Sequence, residues 1–411
     1  MRIDRLYKLF LVFVAALAFV SCGEDRTHEY LELTAENQWI YSQMKENYLW
    51  GDDMKKPERS EFFGMPSKFF NSLLASNDKA SLYTDSASAT SYGMKFSIMR
   101  DPLGEKRTQY YALVLFVEPG SPAAEAGIRR GTWISTIGGK ALTTSSGGSL
   151  QSGKETQVTT RAMEYNDDEE KYFWSNTDTV TIQQALAMKN RPIYMDSVYS
   201  LRTGKAGYIV CNSLEGSGLV SQFSDIMLNF ATEDVASIIL DMRYCNGGTI
   251  GNAASLASML VPASLHGTPF AKAVGKNETY SIISYTEQTV NMSDKKLYII
   301  TSNDTKGIAE LFIASVNASR GMHEVVTLGA ATSGANLMTE TFESPYGFSI
   351  SPAVAYLFAS DDNALQSSGI LPDYPINETE DPKHIFRLGS EQEYILRNVE
   401  YLIVNGTLPT E

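Results

Sequence analysis

The chain has 411 residues, enough for two or three domains and a substantial buried core, which excludes a short peptide or a single module dependent on covalent staples. Hydrophobic residues at 43% and charged residues at 20% are the mix of a globular protein, and exclude both wholesale disorder and a polytopic membrane protein. Lys and Arg total 34 against 48 Asp and Glu, and the net charge of −14 repels polyanions; with four scattered His and three Cys lacking metal-ligand spacing, no nucleic acid, metal or cofactor is expected.

Arg2, Arg5 and Lys8 precede the apolar run Leu9 to Val20, too short to span a bilayer comfortably, which reads as the core of an export signal. Phe19-Val20-Ser21-Cys22 resembles a bacterial lipobox. That resemblance implies removal of residues 1–21, lipidation of Cys22 and membrane attachment through it, with 22–33 as anchor and tether; a plain cleaved signal with an incidental Cys is the alternative. The location expected is the cell envelope, at the outer membrane, facing the periplasm or the medium. In such a compartment Cys211 and Cys245 are allowed a disulfide, while the apolar runs beside them equally suit buried free thiols.

Residues 34–80 read as a helical module. Thr34 is placed as N-cap of a helix through about Leu49 with Trp39, Ile40, Met44 and Tyr48 on one face, and a second helix covers Pro66 to Ala75. Residues 82–190 read as β-rich, with strands at Gly93 to Met99, Tyr110 to Val117, Trp133 to Ile137 and Asp178 to Gln183, and a long polar loop over 141–172. Residues 195–406 alternate strand and helix: Gly207 to Ser213, Val220 to Phe230, Ala236 to Met242, Ile250 to Leu260, Lys296 to Thr301, Ile308 to Val316 and Glu324 to Leu328, closed by a helix over Glu391 to Val404. That order predicts an α/β layer with a mostly parallel sheet, whose ligands sit beyond the carboxyl ends of strands, in the loops after Met242 and Thr301.

Glu118-Pro119-Gly120-Ser121-Pro122-Ala123-Ala124-Glu125-Ala126-Gly127-Ile128, followed by Gly131 and Ile134 to Gly139, resembles the core of a PDZ domain. The resemblance implies capture of an extended C-terminal peptide at a sheet edge, with amides near Gly93, Met94, Lys95 and Phe96 receiving the carboxylate. A β-domain that only props up the rest is the competing possibility.

Asp241-Met242-Arg243-Tyr244-Cys245-Asn246-Gly247-Gly248 is similar to the D-L-R-x-N-x-G-G segment of the C-terminal processing, or tail-specific, serine peptidases. Asn37 to Trp50, Gly207-Tyr208-Ile209, Gly369-Ile370-Leu371-Pro372-Asp373-Tyr374 and Leu388-Gly389 resemble other segments of that family in the same order, over roughly residues 35 to 406. The family implies a Ser-Lys dyad, with backbone amides holding the oxyanion. Its T-A-S-A-S-E-L-like segment reads Thr305-Lys306-Gly307-Ile308-Ala309-Glu310-Leu311 here, which puts Gly307 at the nucleophile position. Its G-E-T-T-Y-G-K-like segment reads Gly329-Ala330-Ala331-Thr332-Ser333-Gly334-Ala335, which puts Ala335 at the base position. Between Lys306 and Lys383 there is no Lys, and from 305 to 314 no Ser, so no modest shift of alignment restores either group. Cys245 replaces the Asn of the glycine-rich segment.

The oxyanion-hole amides would be those of Gly247, Gly248 and Ile308. Thr305 beside Lys306, Ser333 and Cys245 are the available substitute nucleophiles, and none has a base at credible spacing. The expectation is an exported, catalytically inactive homologue that binds peptides or protein C-termini. An active serine-type endopeptidase with a non-standard nucleophile, and a structural surface protein with a blocked groove, are the alternatives.

Overall fold

The computed structural model describes residues 27–409 except 86–89, 107, 189–190 and 322–323; the export signal and the lipidation of Cys22 expected from sequence fall outside the described residues. The chain divides into two compact units, through Ser76 and from Asn77 onward. In the first, helix α1 (Thr27–Asn47) fully buries Ile40 and Met44, with Tyr48 buried just past its end, and α2 (Pro66–Leu73) buries Phe69, Phe70 and Leu73. Thr34 is not the N-cap: α1 begins seven residues earlier, and the Thr34 hydroxyl donates back to the Tyr30 carbonyl at 2.6 Å, as a mid-helix Thr does.

The second unit opens with a β-rich part. Strands β1 (Met94–Arg100), β2 (Tyr110–Val117), β3 (Trp133–Ile137), β4 (Thr156–Asn166) and β5 (Lys171–Ile182) form one antiparallel sheet in that order, so β1 is an edge. Helix α3 (Pro122–Glu125) is capped by Ser121, whose Oγ accepts the Ala124 N–H at 3.1 Å. The polar loop expected over 141–172 is instead largely the β4–β5 hairpin. Its Thr, Val and aromatic residues suit a pleated surface, and Asn166 Oδ1 closes the turn by accepting the Asp168 N–H at 3.0 Å.

The α/β layer follows the expected alternation. Strands β6 (Ile193–Leu201), β7 (Gly204–Cys211), β8 (Val235–Asp241), β9 (Lys296–Thr301), β10 (Val325–Gly329) and β11 (Tyr374–Pro375) lie side by side in chain order, parallel from β7 onward, with β6 antiparallel at the edge. Helices α4 (Leu219–Thr232), α5 (Ile250–Ser258) and α6 (Ile308–Arg320) cover one face. Helix α7 (Tyr394–Asn405) covers the other, together with Phe116 of the β-rich part. The β-strand run is near-continuously apolar because both faces are buried. Cys211 and Cys245 are buried free thiols in the α4–α6 core.

Glu400, on α7, has one carboxyl oxygen buried without a hydrogen-bond partner among the described residues. Burial, with Glu391 adding to it, pushes its carboxyl up to about 7. The folded state therefore holds a proton that the unfolded chain releases near the ordinary carboxylate value of about 4.3, so this group lowers stability as pH rises from there through about 7. Glu400→Gln is expected to raise the urea midpoint at pH 8 and to leave it nearly unchanged at pH 4.

Candidate functional site

The apolar strands β8 and β9 end together and project their following loops to the same edge, as a parallel sheet requires. The two loops are then stitched to each other. Thr305 Oγ1 donates to the Met242 carbonyl at 2.9 Å, the Lys306 N–H to the Cys245 carbonyl at 3.0 Å, and the Ser302 hydroxyl to the Arg243 carbonyl. This stitching sets Gly307, the residue before α6, beside the Gly247-Gly248 turn.

Gly307, Ile308, Gly247, Gly248 and Ala335 all line one cavity of about 540 Å³. Lys79 and Lys306 also line it, and no carboxylate does. At Gly248 an added Cβ would stand 2.5 Å from Leu214 Cβ, so the close approach of the turn to the strand end requires glycine. The N–H groups of Gly247, Gly248 and Ile308 have no protein acceptor among the described residues, so three donors remain for a carbonyl or carboxylate oxygen.

Gly307 has φ 60° and ψ −110°, a backbone conformation costly for any residue with a Cβ, yet a Cβ built there meets nothing within 4 Å. A strained turn before a helix, with open space above it, is the backbone that a nucleophile elbow uses to expose its oxygen. Here it presents only hydrogen.

Beneath the cavity lies Glu310, a residue not singled out from sequence. Its buried carboxylate accepts the N–H groups of Gly307 (2.8 Å), Gly334 (2.7 Å) and Ala335 (2.8 Å) and the Thr332 hydroxyl (2.5 Å). It therefore ties the start of α6 to the loop after β10, and this is what brings Ala335 to Gly307. The sequence signal was a Glu three residues into a helix, which ordinarily reads as an N-terminal cap.

The substitute nucleophiles fare differently. Thr305 is fully buried with its hydroxyl committed to a carbonyl, and Cys245 is fully buried, where burial first and the neighbouring Cys211 second push its thiol well up. Ser333 Oγ lies 3.4 Å from Glu310 Oε2. Lys306 is half exposed, its ammonium 4.0 Å from Asp304. The segment Gly93 to Phe96 stands outside the cavity lining, at the start of edge strand β1; its Lys95 ammonium meets Asp304 at 2.9 Å, in the loop that leads to Gly307.

Sequence reading also passed over the D-x-R of the glycine-rich motif as a structural device. Arg243 is fully buried and donates to Asp241 (2.8–3.1 Å) and Glu393 (2.9 and 3.2 Å), while Tyr208 donates to Asp241 at 2.8 Å. Arg130, from the β-rich part, joins the cluster through Glu393 at 2.9 Å and through Glu378.

Residues 205–376 match the profile of peptidase family S41, and residues 35–97 that of the peptidase S41 N-terminal domain. Among solved structures the chain is similar to a Bacteroides fragilis NCTC 9343 protein assigned as an S41 protease, at 24% identity and TM-score 0.76 over 90% of this chain and 97% of that one. It is also similar to the photosystem II D1 C-terminal processing protease, at 16% identity and TM-score 0.53 over 88% and 96%, and to mature CPAF complexed with lactacystin, at 10% and 0.54 over 92% and 99%. At these identities the structural likeness carries the fold alone. No curated protein matches the chain.

Proposed function

The chain belongs to peptidase family S41, the tail-specific, C-terminal processing proteases, and from that premise we propose that it is a catalytically inactive member that binds peptides or protein C-termini. The observation that carries this reading is the pairing of Gly307 with Ala335 in one cavity that keeps its three amide donors. Acyl transfer needs an attacking oxygen or sulfur and a base to take its proton. Neither position supplies one, while the donors and the two lysines still suit a peptide carbonyl or a terminal carboxylate.

The remainder of the reading rests on sequence. Export and anchoring through a lipid on Cys22, and location at the outer membrane, follow from the leader and its lipobox-like end. A PDZ-like role for the β-rich part, with the carboxylate near Gly93 to Phe96, follows from the motif around Pro119 to Gly127 and from the position of β1 at a sheet edge.

The test is prolonged incubation of the mature protein, in excess, with an unstructured protein substrate, read by mass spectrometry. Intact substrate is expected, together with calorimetric binding of free-acid peptides. Cleavage that disappears in a Ser333→Ala, Thr305→Ala or Cys245→Ala variant would overturn the inactive reading.

A further inference from the structure

A second cleft, which shares no lining residue with the Gly307 cavity, lies where the β-rich part meets edge strand β6. It has a volume of about 570 Å³ and is walled by Phe116, Pro119 and Ile128 on one side and by Tyr194, Met195 and Leu388 on the other. Phe116 and Tyr194 meet edge to face, with ring centroids 5.2 Å apart, so the wall is built from both parts of the unit. The volume falls in the range of ligand sites and matches three or four apolar residues.

The charge of this cleft runs against that of the chain. Arg129, Arg130 and Arg387 line it and no acidic residue does, in a protein whose net charge is −14. Arg130 is spent on Glu378 and Glu393. Arg129 and Arg387 are exposed, and neither guanidinium has an ion pair or hydrogen bond among the described residues. A guanidinium matches a carboxylate in a two-pronged arrangement, so two free ones at the mouth of an apolar cleft select an apolar body ending in an anion.

Strand β6 decides which anion. It is the edge of its sheet, paired on one side only, to β7, and its residues 194–200 make no other backbone hydrogen bond among those described. An extended peptide can satisfy those main-chain groups, whereas a fatty-acid chain cannot. We propose that this cleft is a second peptide site, taking the apolar C-terminal residues of a protein or peptide with the terminal carboxylate held by Arg129 and Arg387. The proposal rests on the peptide-binding reading but names a different place from both the Gly307 cavity and the Gly93 to Phe96 segment.

The experiment uses the mature chain and a fluorescent tetrapeptide with an apolar, free-acid C-terminus, followed by anisotropy. The Arg129→Glu/Arg387→Glu variant, altered only at exposed positions, is expected to bind at least about tenfold more weakly, and amidation of the peptide to weaken binding to the parent by a similar factor. Lys140→Ala, an exposed position that lines neither cavity, should leave binding unchanged. Peptide binding that is indifferent to the charge reversals would overturn the cleft while sparing the general reading, and no binding by any form would overturn both. Displacement of the peptide by decanoate at equal concentration would show a lipid-type anion as the occupant and overturn the peptide assignment.

Discussion

Replacing Arg243 by methionine is expected to lower stability by about 3–5 kcal/mol, because it strands buried carboxylates rather than merely deleting a contact. Asp241 and Glu393 sit on either side of the guanidinium and are almost completely removed from water. In the variant Glu393 retains Arg130 at 2.9 Å, whereas Asp241 retains the Tyr208 hydroxyl but loses the cation that justified its burial. The denaturant midpoint measures this directly, and a loss below about 1 kcal/mol would mean that the cluster is solvated.

The same cluster sets an acid limit. Burial pushes the Glu393 carboxyl up, but Arg243 and Arg130, with the Leu396 N–H, outweigh it and hold the group at about 2. Its folded value lies below the unfolded one, so the stabilisation is full above the ordinary carboxylate value of about 4.3 and is lost as pH falls from there through about 2. The Arg243→Met protein should show a shallower loss across that window than the parent.

Glu310→Ala is expected to cost a comparable amount, about 3–5 kcal/mol, by leaving three backbone N–H groups and the Thr332 hydroxyl without their acceptor in a buried site. The damage should be local as well as global: amide exchange at Gly334 and Ala335 should accelerate, since both N–H groups donate to this carboxylate. Glu310→Gln keeps one carbonyl oxygen and should lose less. Equal loss in the two variants would point to charge rather than acceptor number as the cause.

The element order was legible because the strands of the α/β layer are short apolar runs set between polar turns. Lys296 to Thr301 was placed to the residue, since Lys296 and Ser302 mark its two ends. Of the β4–β5 hairpin only the end of β5, from Asp178, was placed, because its acidic turn and Thr-rich strands carry little hydrophobic contrast, and much of what makes it a strand is the cross-strand partner. Thr34 failed as a boundary because a hydroxyl that caps one helix can sit within another.

At the site, Gly307 and Ala335 were singled out by the resemblance of their segments to those of the family, and the structure sets both in the lining of one cavity. The agents that hold them together were not readable. Glu310 works through backbone amides, which every residue possesses, and the Arg130 to Glu393 pairing spans 263 positions. A D-x-R at the end of an apolar strand was the available hint, because an isolated charge there has to find its counterpart somewhere in the fold.

Glycine at 307 has a bearing on how readily acyl-transfer chemistry could be introduced at this cavity. Its left-handed backbone is free of steric penalty only while the residue lacks a Cβ, and any side chain returned there costs about 1–3 kcal/mol before doing anything useful. A serine alone would bring that loss with no amine at 335 to activate it, and a lysine alone would bring an amine with nothing to deprotonate. Each single change is therefore neutral at best, so on the proposed reading the two positions form a ratchet, in which chemistry at this cavity depends on two changes arriving together.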